Sequence, residues 1–178
     1  MQFSRKALNA RWAWTSGAAI VLLVVLNLLD SLLRGRTGFG TADMQLLGSG
    51  YDLRVIADHW LKPNDTVLAG FVLGLDFLFI PLYGAALFFG SLAALDRFAP
   101  KPGIWRRLMT RLTLAPIGAA ICDAIENVFQ LRMLMTTPTN ELASLALEAT
   151  AAKWLGIAIG LLLTLAALIG HLVKRRSA

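Results

Sequence analysis

One cysteine, Cys122, and two histidines, His59 and His171, are all that this chain of 178 residues offers in thiol and imidazole metal ligands. A lone cysteine excludes an internal disulfide and any multi-cysteine metal site, and its place within an apolar run marks it as a small packing residue. It leaves the redox compartment unread. His59 falls in a loop and His171 near one end of the last apolar segment, so a shared histidine site is excluded by their separation in depth. Charge is scarce as well: 16% of residues carry one, against about 25% in soluble domains. The chain has no G-x-S-x-G elbow, no H-E-x-x-H pair and no G-x-x-x-x-G-K-[ST] loop, which sets aside serine hydrolase, zincin and ATPase readings. It has no internal repeat and no low-complexity segment.

What is present in excess is apolar. Hydrophobic residues make up 57% of the chain and the mean hydropathy is +0.64, too apolar for an ordinary soluble domain. A span needs about 20 apolar residues, and four segments reach that length, at roughly 12–33, 67–95, 108–135 and 142–173. The expected fold is all-α, a single membrane-embedded four-helix bundle covering residues 1–178. The basic start with Arg5, Lys6 and Arg11 ahead of an apolar stretch has the outline of a signal peptide. That stretch runs on through Leu32 and Leu33 into Arg34-Gly35-Arg36 without a small-x-small cleavage site, so a retained first helix is expected. Pro81 and Pro116 are tolerable within spans, because neighbouring helices re-satisfy freed backbone groups, and kinks are expected near both.

The formal charge of +6 does not point to nucleic acid, because the basic residues flank apolar segments instead of interleaving with aromatics. Topology accounts for it. Arg5, Lys6 and Arg11, then Arg97, Lys101, Arg106, Arg107 and Arg111, then Lys174, Arg175 and Arg176 fall in alternate extramembrane regions, which assigns both termini to the cytoplasmic side. The loop near residues 136–140 has no basic residue, and the first loop offsets Arg34, Arg36, Arg54 and Lys62 with Asp43, Asp52, Asp58 and Asp65. Within that loop Leu53, Ile56, Ala57, Trp60 and Leu61 recur at helical spacing. Ser49 or Gly50 can cap this segment and Lys62-Pro63-Asn64-Asp65 stops it. A short amphipathic helix over residues 50–61 is expected, lying on the outer membrane surface or packed on the mouth of the bundle.

Ionisable residues inside spans are costly and face the bundle interior or a water-filled cavity, so each marks a candidate site. Asp76 lies about ten residues into the second span, near mid-depth at 1.5 Å per residue. Asp123, Glu126, Asn127 and Gln130 share one face of the third span, since offsets of three, four and seven return to the same stripe. Lys153 enters the fourth span, Tyr83 shares the face of Asp76, and Asn27 and Asp30 occupy one end of the first. Together they are expected to line one polar pocket opening outward. Asn27 and Asp30 also fit a plain headgroup-level role, and Arg132 either pairs with an acid or snorkels to the interface. Three deep acids against Lys153 and Arg132 leave one surplus, which must be protonated, bind a cation or meet a cationic ligand.

Three chemistries suit that surplus. Asp123 and Glu126 could share a proton for general acid–base work on a lipid-soluble substrate. Asp76, Asp123, Glu126 and Asn127 could ligate a divalent cation such as Mg²⁺. A protonatable acid beside Lys153 could couple proton movement to a solute. The alternative is that the acids only pair with bases and hold the helices in register. Gly156-x-x-x-Gly160 matches a helix-packing motif.

At Asp76-Phe77-Leu78-Phe79-Ile80-Pro81-Leu82-Tyr83-Gly84, Asp123-Ala124-Ile125-Glu126-Asn127 and Thr150-Ala151-Ala152-Lys153-Trp154 the chain resembles a group of small four-span bacterial membrane proteins without an assigned activity. They share an acid followed by Pro-Leu-Tyr-Gly, a D-x-x-E-N motif, a lysine in the last span and a Tyr-Asp stretch like Tyr51-Asp52. The resemblance spans residues 50–165 and implies that Asp76, Tyr83, Asp123, Glu126, Asn127 and Lys153 act as one set. It implies no reaction. The expectation is therefore a bacterial inner-membrane protein whose acidic pocket binds, and in the fuller reading modifies, a lipid or amphiphilic small molecule. Asp123, Glu126 and Asp76 would be the acid/base or cation ligands, Asn127 and Tyr83 positioners, and Lys153 a counter-ion. A proton-coupled transporter or accessory subunit and a non-catalytic scaffold are the competing expectations.

Overall fold

The computed structural model describes residues 4–99 and 101–176, with side chains described as far as residue 170. His171 and the basic tail Lys174, Arg175 and Arg176 thus lie outside the described side chains. Among the described residues the chain is helical with no strand: α1 Arg5–Thr37, α2 Gly50–His59, α3 Pro63–Phe98, α4 Ile104–Leu112, α5 Ala115–Met135 and α6 Asn140–Arg176. A short 3₁₀ turn, Thr41–Leu46, follows α1. Four stretches are long and apolar enough to cross a membrane: Arg5–Thr37, Pro63–Phe98, Ile104–Met135 and Asn140–Gly170.

Polarity is distributed inside out along these four helices. Large apolar side chains such as Val21, Leu28, Phe71, Leu78, Ile121, Val128, Leu155 and Leu162 are exposed, whereas Asp123, Glu126, Asn127, Gln130 and Lys153 are buried. Water would reverse that arrangement, because exposing apolar area costs about 25 cal/mol per Å² and burying a charge costs far more. A hydrocarbon surrounding accounts for it. The chain is on this evidence an integral membrane protein.

Helix ends follow local chemistry. Ser4 Oγ accepts from the Ala7 amide at the start of α1, Ser49 Oγ from Asp52 at the start of α2, and Thr139 Oγ1 from Leu142 at the start of α6. α1 ends at Gly38, whose φ of +88° only glycine adopts without strain. α3 continues unbroken through Pro81. The span expected over residues 108–135 is in fact two helices, interrupted at Thr113–Leu114. Pro116 has no N–H for the Leu112 carbonyl, and its ring disfavours helix in the residue before it.

Packing divides the chain into two units. One gathers the described parts of Met1–Ala19, Pro81–Ala120 and Trp154–Ala178. Within it Met109 of α4 packs with Leu95 and Ala99, the Arg106 guanidinium donates to the Ala99 carbonyl at 2.6 Å, and Arg97 donates to the Gly170 carbonyl. The Gly156-x-x-x-Gly160 motif brings α6 against α5: a Cβ on Gly156 would sit 2.7 Å from the Ala115 carbonyl oxygen, and one on Gly160 2.7 Å from the Pro116 ring.

The other unit, Ile20–Ile80 with Ile121–Lys153, is centred on Trp60. That side chain is fully buried with Leu33, Leu53, Ile56, Met133 and Ala143, and its indole N–H donates to the Phe39 carbonyl at 3.1 Å. α2 therefore spends its apolar face on protein. Asp30 accepts from the Thr41 hydroxyl at 2.7 Å, and Arg36 pairs with buried Asp65 at 2.7 Å. The Gly50 amide donates to Asn140 Oδ1 at 2.9 Å, where a Cβ on Gly50 would meet the Thr139 backbone.

Candidate functional site

The stripe on α5 meets α6 and α3 through polar contacts. Lys153 Nζ lies 2.6 Å from Glu126 Oε2 and 3.0 Å from Asp123 Oδ1, so one ammonium bridges two carboxylates a helical turn apart. Glu126 Oε1 accepts from Gln130 Nε2 at 2.7 Å. Asn127 Nδ2 donates to Asp76 Oδ2 at 2.7 Å, tying α5 to α3. Thr150, buried one turn before Lys153, returns its hydroxyl to the Ala146 carbonyl. Glu126 and Asn127 are wholly inaccessible, and Asp123, Gln130 and Lys153 nearly so.

Two features of this network bear on chemistry. Three carboxyl groups, Asp76, Asp123 and Glu126, share it with one ammonium. In addition, Asn127 Oδ1 is buried without a hydrogen-bond donor among the described residues, which is rare for a native structure. Among the described residues the network therefore sets three carboxyl groups against one ammonium.

Of the residues singled out in the sequence, Asp76, Asp123, Glu126, Asn127, Gln130 and Lys153 come together. Tyr83 is buried two turns beyond Asp76 on α3, in the other packing unit. Asn27 donates to the Leu23 carbonyl of its own helix and Asp30 caps the turn after α1, so both are structural. Arg132 is exposed and forms none of the ion pairs with the acids. Among the described residues no group of three or more His, Cys, Asp or Glu is placed to hold a metal ion. Lys153 takes the position between Asp123 and Glu126, and Asp76 faces Asn127.

On α5 and α6 the polar face expected to line an open pocket is buried, whereas Asp76 on α3 is partly exposed. A cleft of about 270 Å³ lies further along α5, bounded by Arg54, Ala57, Asp58 and Leu61 of α2 and its end, Thr66 of α3, and Met133, Leu134, Thr136, Thr137 and Pro138. Met133 and Leu134 continue the stripe of Glu126 and Gln130, one turn or about 5 Å on. Arg54 and Asp58, four residues apart, put opposite charges at its rim, and neither is in an ion pair within the described residues. Sequence reasoning passed over this lining; the i, i+4 spacing of Arg54 and Asp58 was its one signal.

No protein-family model matches the chain, and neither does a curated protein or a solved structure.

Proposed function

We propose that this protein binds, and by proton transfer modifies, a lipid or amphiphilic small molecule in a bacterial inner membrane. The observation that carries the reading is the imbalance of the network, two buried carboxyl groups, the part-buried Asp76 and an unpaired Asn127 carbonyl with one lysine. Helix pairing alone is served by one acid per base, and each surplus buried acceptor costs free energy unless something occupies it. In this reading Asp123 and Glu126 exchange a proton with the bound molecule while Lys153 compensates their charge. Asp76 is the third carboxylate, and Asn127 positions the ligand. The small four-span bacterial proteins that share the acid-Pro-Leu-Tyr-Gly, D-x-x-E-N and lysine motifs would then share this site.

With both termini cytoplasmic, as the arginine and lysine distribution indicates, α2 and the cleft face outward. An amphiphile would seat its polar group between Arg54 and Asp58 and its apolar part on Leu61, Met133 and Leu134. A ligand at a hundredfold its Kd stabilises a protein by about 2.7 kcal/mol. The test is thermal unfolding of detergent-purified protein with and without added phospholipids and single-chain amphiphiles. Glu126→Gln leaves Lys153 paired with Asp123, so it should keep the unliganded melting temperature and lose the ligand-induced rise. A wild type indifferent to every amphiphile would refute the reading.

The closure of the network favours a second reading, in which the polar residues only fix the pairing of α3, α5 and α6. It predicts that Glu126→Gln alters stability alone.

A further inference from the structure

The nine residues of α4, Ile104–Leu112, contain three arginines and no acid. At 100° per residue Ile104, Trp105, Leu108, Met109 and Leu112 occupy one arc, and Arg106, Arg107, Thr110 and Arg111 the rest. Met109, at one edge of the apolar arc, and Leu112 pack on Leu95 and Ala99. The arc's flank is left bare: Ile104 is 83% exposed, Trp105 55% and Leu108 47%.

The basic side is equally uncommitted. Arg106 donates to the Ala99 carbonyl at 2.6 Å and stands 3.9 Å from Asp96, which fixes the helix to the end of α3. Arg107 and Arg111 are exposed with no carboxylate within ion-pair distance among the described residues. The break at Thr113–Leu114 separates this segment from the apolar α5. A helix so divided does not enter hydrocarbon along its axis, because each central arginine costs about 2.5–3.5 kcal/mol there. Lying in the interface satisfies both sides at once, with the apolar flank in the acyl boundary and the guanidinium groups among phosphates.

We infer that α4 is an in-plane helix that recruits anionic phospholipid headgroups through Arg107 and Arg111, with Trp105 and Leu108 as its apolar anchor. The charge complementarity commits it to anionic phospholipid, since an uncharged or purely apolar partner would leave both guanidinium groups unpaired. Each such arginine contributes roughly a fivefold preference for anionic over zwitterionic lipid.

The full chain, in a Cys122→Ala background, would carry a spin label at Leu108→Cys or at Thr110→Cys. It would be reconstituted in vesicles of phosphatidylcholine, alone or mixed with phosphatidylglycerol. The Leu108 label should be reached by oxygen more than by a water-soluble nickel complex, and the Thr110 label should show the opposite order. Equal, water-like access at both sites would put α4 in solvent, overturn the assignment and leave the face to a protein partner. In native mass spectra, Arg107→Gln with Arg111→Gln should lose roughly 30-fold in phosphatidylglycerol preference. Arg107→Lys with Arg111→Lys should keep most of it. A glutamine variant that melts like wild type and keeps its preference would also overturn the proposal. If the glutamine variant is unstable, loss of preference in the lysine variant would do so instead.

Discussion

Replacing Lys153 by methionine keeps most of the side-chain volume and removes the ammonium that bridges Asp123 and Glu126. Contacts of 2.6 and 3.0 Å are lost together, at a position where the side chains of Lys153, Asp123 and Glu126 are 3%, 6% and 0% exposed. Removing one partner of a buried ion pair costs about 3–5 kcal/mol, most of it the uncompensated charge left behind. At about 2–4 °C per kcal/mol for a chain of this length, Lys153→Met should melt roughly 6–20 °C lower than wild type. Asp123→Asn with Glu126→Gln removes the charges that need Lys153, and adding Lys153→Met to that background should cost less than about 1 kcal/mol. The assay is thermal unfolding of the four proteins in one detergent, followed by near-ultraviolet circular dichroism. An equal loss on removing Lys153 in both backgrounds, or none in either, would refute the coupling on which the site is built.

Three further outcomes follow from packing. Gly156→Leu should destabilise by about 1–3 kcal/mol, because its Cβ meets the Ala115 carbonyl at 2.7 Å, whereas Gly17→Leu, with nothing within 4 Å, should be silent in the same melts. Trp60→Ala should cost about 3–5 kcal/mol by emptying the centre of its cluster, and proteolysis of the 40–60 region should then precede global unfolding. Asn127→Ala leaves the Asp76 carboxyl without its donor at 2.7 Å and should cost about 1–3 kcal/mol, read in the same assay.

The four long helices were legible because a run of about 20 apolar residues has few alternatives. The α4–α5 break was not, although Pro116 marked it: Leu108, Met109 and Leu112 merge with the apolar run that follows, and period alone does not say whether such residues face lipid or a neighbouring helix. The α5 stripe was read correctly from its spacing, since offsets of three, four and seven fix a face whatever surrounds it. Which base met which acid was not so fixed. Lys153 was the expected counter-ion with Arg132 a second candidate, and packing of α6 against α5 seats Lys153 between Asp123 and Glu126. The turn after α1, where Asp30 accepts from Thr41, has no periodicity to read. The cleft draws its lining from α2, α3 and the α5–α6 connection, a juxtaposition that only tertiary structure supplies.

The proposal that the unbalanced network serves a ligand is tested most directly by native mass spectrometry of the purified wild type beside Asp123→Asn/Glu126→Gln, with lipid extraction and identification from both. A lipid or amphiphile bound in stoichiometric amount to the wild type and absent from the variant is the predicted result. Identical spectra, with no molecule retained by either protein, would contradict it and leave the acids as helix-pairing residues.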